Sequence, residues 1–279
     1  MTELMTTTRL IATALRGTAL AGHPVEEGLG DTILIGDVDP TRLREAWQAA
    51  HSVLPVTGRW PVFTLPGDLD HEPEAAEIDE LDRASRTVDP WSVYRRYVDD
   101  EPLDRKRVEY SVRAAPGDEF VATALDQLGD VITAAALDRW TYDALLADPS
   151  LAARAARYHE NLAGVGSWHT WDRVQLVLLP TASQWLAPAW VGYHGAGSDD
   201  RNAAWAAAMR EWDQRWGAGL VAAWGTMLQF VVDRPPRPGQ QAWELAGQLL
   251  AVGGSLQYEQ WQMALAVAGS DAWFLHDRP

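Results

Sequence analysis

Arg210-Glu211-Trp212-Asp213-Gln214-Arg215-Trp216-Gly217-Ala218, followed after Gly219 by Leu220-Val221-Ala222-Ala223-Trp224, decides the fold. Trp205, Met209, Trp212 and Trp216 recur at helical spacing, so 200–216 reads as a helix with one indole face. Glycine then stops the helix and a β-rich run begins. Trp205, Trp212 and Trp216 should turn to a sheet, and Glu211 and Gln214 to solvent. Gly225-Thr226 separates 220–224 from Met227–Val232 with the spacing of a tight hairpin.

Outward from this stretch, Val174–Leu179 reads as a buried strand and 184–193 as a second extended segment broken by Pro188. Helices are expected over 239–252 and 256–268, with Gly269 ending the second and 272–276 forming a last strand. The upstream order is a strand at 32–36, a helix opened by Asp39-Pro40 and carrying Leu43, Trp47, Ala50 and Leu54 on one face, and a strand at 59–65. Residues 118–162 read as helical, with Phe120, Ala124, Leu128, Val131 and Ala135 in one stripe and Asp148 capping a helix at Pro149. The fold class is α+β: a largely antiparallel sheet with helices covering one face. The expected regions are 1–115, an N-terminal α+β region; 116–172, a helical connector; and 173–279, a C-terminal α+β domain.

The segments Val174-Gln175-Leu176-Val177-Leu178-Leu179-Pro180, Arg210–Ala218 and Ala272-Trp273-Phe274-Leu275-His276-Asp277 together resemble the bacterial domain-of-unknown-function family 4253 over 174–277. That resemblance implies a fold and a boundary, and no reaction. Arg210 and Arg215 match the arginines of the family pattern. The pattern's Cys-Pro-Asp segment is replaced by Ala251-Val252-Gly253-Gly254-Ser255-Leu256-Gln257, and its terminal Trp-Trp-Asp by Leu275-His276-Asp277. A chemical site shared by the family at those places would be missing from this chain.

A formal net charge of -16 argues against a nucleic-acid backbone or an anionic membrane as partner. The absence of cysteine excludes disulfides, thiol nucleophiles and cysteine-ligated zinc. No run reaches the length of a membrane span. Arg16 interrupts the apolar stretch Leu10–Ala21, which reads as a packed helix and not a secretory leader. A cytoplasmic, soluble protein is expected.

Charge is concentrated in 66–104, where 13 acidic residues meet four arginines. This acidic insertion reads as solvated, and Glu72, Glu74, Glu77, Asp79 and Glu80 as a docking face for a basic protein.

The candidate ligand or partner site comprises Trp190, Tyr193, His194, Asp199, Asp200, Arg210, Arg215 and His276. Trp168, Trp171 and Trp185 also sit in irregular segments suited to a pocket or interface. Arg210 and Arg215 are expected to pair with Glu211 or Asp213, or to fix a loop or a carboxylate. Tyr193–Asp200 is glycine-rich before a helix, but Asp199 and Asp200 would repel phosphate, so a cap by Ser198 or Asp199 is the simpler role. His169 with Asp172, His159-Glu160, and His276-Asp277 lack zinc spacing, and no Gly-x-Ser-x-Gly elbow occurs. No cofactor or metal is expected, and no catalytic constellation is evident. The leading expectation is a soluble, non-catalytic module that binds a basic protein partner, such as a toxin that it neutralises. The alternatives are a small-molecule-binding or hydrolytic protein with a cleft at Trp190, Tyr193, His194, Asp199 and His276, and a structural module of a larger assembly.

Overall fold

A computed structural model describes residues 2–69, 71–96, 101–111, 118–129, 132–158 and 173–278. In chain order the elements are α1 (Thr2–Ala14), β1 (Val25–Glu27), β2 (Ile33–Ile35), α2 (Leu43–Ser52), α3 (Leu54–Thr57), β3 (Trp60–Thr64), α4 (Ala75–Thr87), α5 (Pro90–Val93), α6 (Arg105–Ser111), α7 (Asp118–Leu128), α8 (Ala134–Ala147) and α9 (Pro149–Tyr158). There follow β4 (Gln175–Leu179), α10 (Asp199–Trp216), β5 (Ala218–Ala223), β6 (Met227–Val232), α11 (Gln240–Val252), α12 (Gln260–Val267) and β7 (Ala272–His276). The class is α+β.

Two compact units share the chain. The first comprises 1–93, 168–231 and 276–279; the second comprises 94–167 and 232–275.

In the first unit the strands are hydrogen-bonded in the order β1-β2-β4-β3-β5-β6. The β1–β2, β2–β4 and β4–β3 pairs are antiparallel, and β3 runs parallel to β5 through Phe63 and Ala222. The strand-helix-strand unit read at 32–65 is present, but β4 lies between its two strands. Its helix begins at Leu43 and not at Pro40: Asp39 instead closes a turn, accepting the backbone N–H and hydroxyl of Thr41 (2.8 and 2.7 Å). Leu54 has left the buried face and starts α3.

Every residue of β3 and β5 is buried. Both faces of the sheet centre are therefore covered, where the sequence suggested one covered face. Their near-continuous apolar sequences are what two-sided burial requires.

The hairpin is as read, with the Trp224 N–H donating to the Met227 carbonyl (2.8 Å). α10 buries Trp205, Met209, Trp212 and Trp216. Trp212 meets Phe230 of β6 edge-on at 5.6 Å. The helix ends where Gly217 turns left-handed (φ 58°), letting its N–H reach the Asp213 carbonyl (2.8 Å). Gln214 is exposed, but Glu211 is not simply solvated: it accepts the Trp91 indole N–H (2.8 Å) and pairs with Arg215 (3.2 Å).

The 184–193 stretch departs from its reading. Gln184–Ala189 is a 3-10 turn, not an extended segment. Its buried Gln184 side chain donates from Nε2 to the Ala218 carbonyl (2.7 Å) and accepts the Leu220 N–H (2.6 Å). Trp60 donates its indole N–H to the Leu220 carbonyl (2.9 Å). Side chains thus satisfy backbone groups at the start of β5 that would otherwise be buried without partners.

In the second unit, α12 packs on α8, α9 and α11. The long helical stripe expected from 118 is two helices, and Ala135 is exposed. Val131 lies outside the described residues. Asp148 does cap α9, accepting the Ser150 N–H (2.9 Å).

Trp212 is fully buried. Trp212→Ala should destabilise the protein by about 3–5 kcal/mol, the range for emptying a buried aromatic site. Denaturant titration checks this, and a loss under about 1 kcal/mol would place Trp212 outside the core.

Candidate functional site

α4 begins at a reciprocal cap. Glu74 is its N-cap, and Glu77 accepts the Glu74 N–H (2.7 Å) while also meeting His71 (3.1 Å). Those two bonds, the backbone one first, hold the Glu77 carboxyl below its usual range. Leu81, Ala84 and Ser85 bury one face of α4, which lies against α10 and the 184–189 turn. Glu72, Glu74, Glu77, Asp79 and Glu80 are exposed. Glu80 pairs with Arg83, which lowers its pKa. Glu72 and Asp79 have no ion-pair or hydrogen-bond partner among the described residues. The acidic segment is thus in part a docked helix with its charge outward.

At the seam with α10, Asp82 takes Arg86 (2.9 Å) and the Trp185 indole N–H (3.3 Å). Arg210 lies over the Trp185 ring at 4.7 Å. Partial burial raises the Asp82 pKa, but the bonds from Arg86 and Trp185 and the charges of Arg86 and Arg210 outweigh it, and the net shift is downward. Arg210 therefore fixes the 184–189 turn and faces a carboxylate, while its Nη1 is buried without a hydrogen-bond partner among the described residues. Arg215 pairs with Glu211 and stacks on Trp216 at 5.0 Å. The two arginines flanking Trp212 have different tasks.

The residues read as a cleft are only partly brought together. The Trp190 indole donates to the Gly30 carbonyl (3.1 Å). Tyr193 is buried against Trp205 (5.6 Å), and the exposed His194 sends its backbone N–H to the Gly225 carbonyl (2.7 Å). The N–H of Asp277, next to His276, reaches the Thr226 carbonyl (2.9 Å). A Cβ on Gly195 would stand 2.5 Å from the Tyr193 ring and 3.0 Å from Asp277 Oδ2. Tyr193, Gly195 and Asp277 are thus packed together, and the backbone of His194 joins them at the 225–226 turn. Asp199 and Asp200 are exposed at the start of α10. Ser198 occupies the N-cap but makes no side-chain capping bond. Trp168, Trp171, His169, Asp172 and His159-Glu160 lie outside the described residues. No group of three or more His, Asp or Glu suited to a metal ion occurs among the described residues. None of their helices is long and apolar enough to cross a membrane.

One buried ionisable cluster escaped the sequence reading. In the second unit Asp138 of α8 is 4% exposed. It accepts the Gln260 N–H (3.1 Å) and faces the Arg96 guanidinium at 3.5 Å. Arg96 makes its shorter bond to Gln260 Oε1 (3.0 Å). The available signal was position: Asp138, Thr141, Tyr142 and Leu145 share one buried helical face.

Residues 175–277 match the family model described as Domain of unknown function (DUF4253). No curated protein and no solved structure matches the chain. The matched segment runs from β4 to β7 and contains Gln184, Trp185, Arg210, Arg215 and the indole face of α10. The acidic helix α4 and Asp138 lie outside it.

Gln184→Leu should leave the Leu220 N–H and Ala218 carbonyl unpaired, each costing roughly 1–3 kcal/mol. Chemical denaturation measures the loss; wild-type stability would show that the two bonds contribute nothing.

Proposed function

We propose that this is a soluble, cytoplasmic, non-catalytic binding module that uses the outer face of α4 to recognise a basic protein, such as a toxin that it neutralises. The observation that carries this reading is the fixed presentation of exposed carboxylates on a helix whose other face is buried. Glu72 and Asp79 have no competing partner among the described residues. Exposed pairs such as Glu80–Arg83 are worth little and can be exchanged for contacts with a partner. A chain of net charge -16 attracts a cationic surface from a distance, which favours fast association.

The alternative small-molecule reading draws support from the packing of Tyr193 and Asp277 beside His194. The hollow bordered by Leu20, His23, Val38, Asp39, Arg42 and Glu45 contains none of those cleft residues.

Affinity capture from the native cell, followed by kinetics on the captured partner, tests the proposal. Changing Glu72, Asp79 and Glu80 to their amides leaves the Glu74–Glu77 cap intact. The association rate should fall about tenfold or more at low salt, and the wild-type advantage should shrink at physiological salt. An unchanged rate and salt dependence removes α4 from the interface. Capture of no protein, with a reproducible thermal shift by a metabolite, supports the small-molecule reading instead.

A further inference from the structure

The cluster around Asp138 joins three stretches of the second unit through one residue, Gln260, the first of α12. Its backbone N–H is bound by Asp138 of α8. Its side-chain oxygen accepts from Arg96, and its Nε2 donates to the Trp243 carbonyl of α11 (2.9 Å). Room for that amide depends on Gly247 in the middle of α11. A Cβ there would lie 3.0 Å from Gln260 Nε2. Glycine is disfavoured inside a helix relative to alanine, and here it permits the close crossing.

The charges at this joint do not balance when every group is ionised. Asp138 and Glu259, the N-cap of α12, are both carboxylates, and the one cation described at the cluster is Arg96. Arg96 stands at the long distance of 3.5 Å from Asp138. On the rest of α8, Arg139 and Asp143 pair with each other at the surface (2.8 Å). Asp126 on α7 and Glu244 on α11 are exposed. The side chains of Arg154 and Arg157 on α9 lie outside those described.

We propose that the seat of α12 on α8 is a proton-operated joint: a proton on Asp138 holds the first turn of α12 in place, and its loss loosens that turn. The proposal is independent of the partner bound at α4. A neutral Asp138 keeps an oxygen to accept the Gln260 N–H and removes the repulsion from Glu259. An ionised Asp138 is a charge on a side chain that is itself almost wholly buried, beside a second carboxylate at Glu259. Burial, then the Glu259 charge, push the Asp138 carboxyl up to about 7, against the opposing pull of Arg96 and the Gln260 N–H. The folded form therefore holds a proton that the unfolded chain releases near the ordinary carboxylate pKa. This group's contribution to stability falls as pH rises from that value through about 7. The loosened turn leads through α12 to β7.

Amide hydrogen exchange in the intact protein, corrected for the intrinsic pH dependence of exchange, tests the joint. Protection at residues 260–264 should fall as pH rises from the ordinary carboxylate value of 3.8 to about 7, by up to about tenfold per pH unit, the limit for one proton, and level off above it. Residues 245–249 of α11 should stay level. Asp138→Asn should abolish the pH dependence and keep protection high. Glu259→Gln, which retains a capping oxygen, should move the wild-type transition to lower pH and decides the matter if the asparagine variant does not fold. A flat wild-type profile overturns the proposal. So does a decline shared equally by α11, a transition that persists in Asp138→Asn, or one that Glu259→Gln leaves in place.

Discussion

Burial of one indole face is the constraint on which the first unit depends. Trp205, Trp212 and Trp216 are each less than a tenth exposed on α10. The Nε1 atoms of Trp205 and Trp216 have no hydrogen-bond partner among the described residues, so packing and not hydrogen bonding explains them there. Once that face is committed to the interior, the flanks of α10 can hold other elements. Arg210 stacks on Trp185, and Glu211 receives Trp91. These contacts bring the 184–189 turn and α5 to the same helix. The turn in turn delivers Gln184 to the start of β5.

The acidic helix is fastened to this framework and contributes a different property. Leu81, Ala84 and Ser85 give α4 a narrow buried face, and Asp82 joins its edge to Trp185. The remaining carboxylates project outward: Glu74 and Glu77 are held by the helix cap and Glu80 by Arg83, while Glu72 and Asp79 have no partner among the described residues. None of those surface pairs contributes much to stability. Their value is positional: a charged surface held on a docked helix presents a defined pattern, whereas the same charges on a coil would present only an average field.

The tryptophan helix, its glycine stop, the following hairpin and the terminal strand were legible because each rests on periodicity or a local turn signal. The 3-10 turn at 184–189 was not. Its apolar run around Pro188 suits an extended chain equally well, and its conformation is tied to β5 by Gln184, 36 residues from Leu220. The helix within the acidic insertion was hidden because its buried face is small and its charge dominates the composition. Even so, the Glu74-x-x-Glu77 cap and the spacing of Leu81, Ala84 and Ser85 were there to find. Of the candidate site, the pairing of Arg215 with Glu211 was legible because it is one helical turn away. The seat of Arg210 on Trp185 and that of Asp138 between Arg96 and Gln260 were not, since their partners are remote in sequence. Asp138 alone looks like any polar residue on a helix; what distinguishes it is the company assembled by the fold.

The account depends on α4 being a fixed part of the first unit and not a solvated appendage. Limited trypsin digestion along a urea series, set beside near-ultraviolet circular dichroism, tests this directly. Arg83 and Arg86 lie within α4, so cleavage after them requires the helix to leave its seat. The account predicts that these two bonds survive until the urea concentration at which the tryptophan signal is lost. Rapid cleavage after Arg83 or Arg86 in the absence of urea, with the tryptophan signal intact, would contradict it.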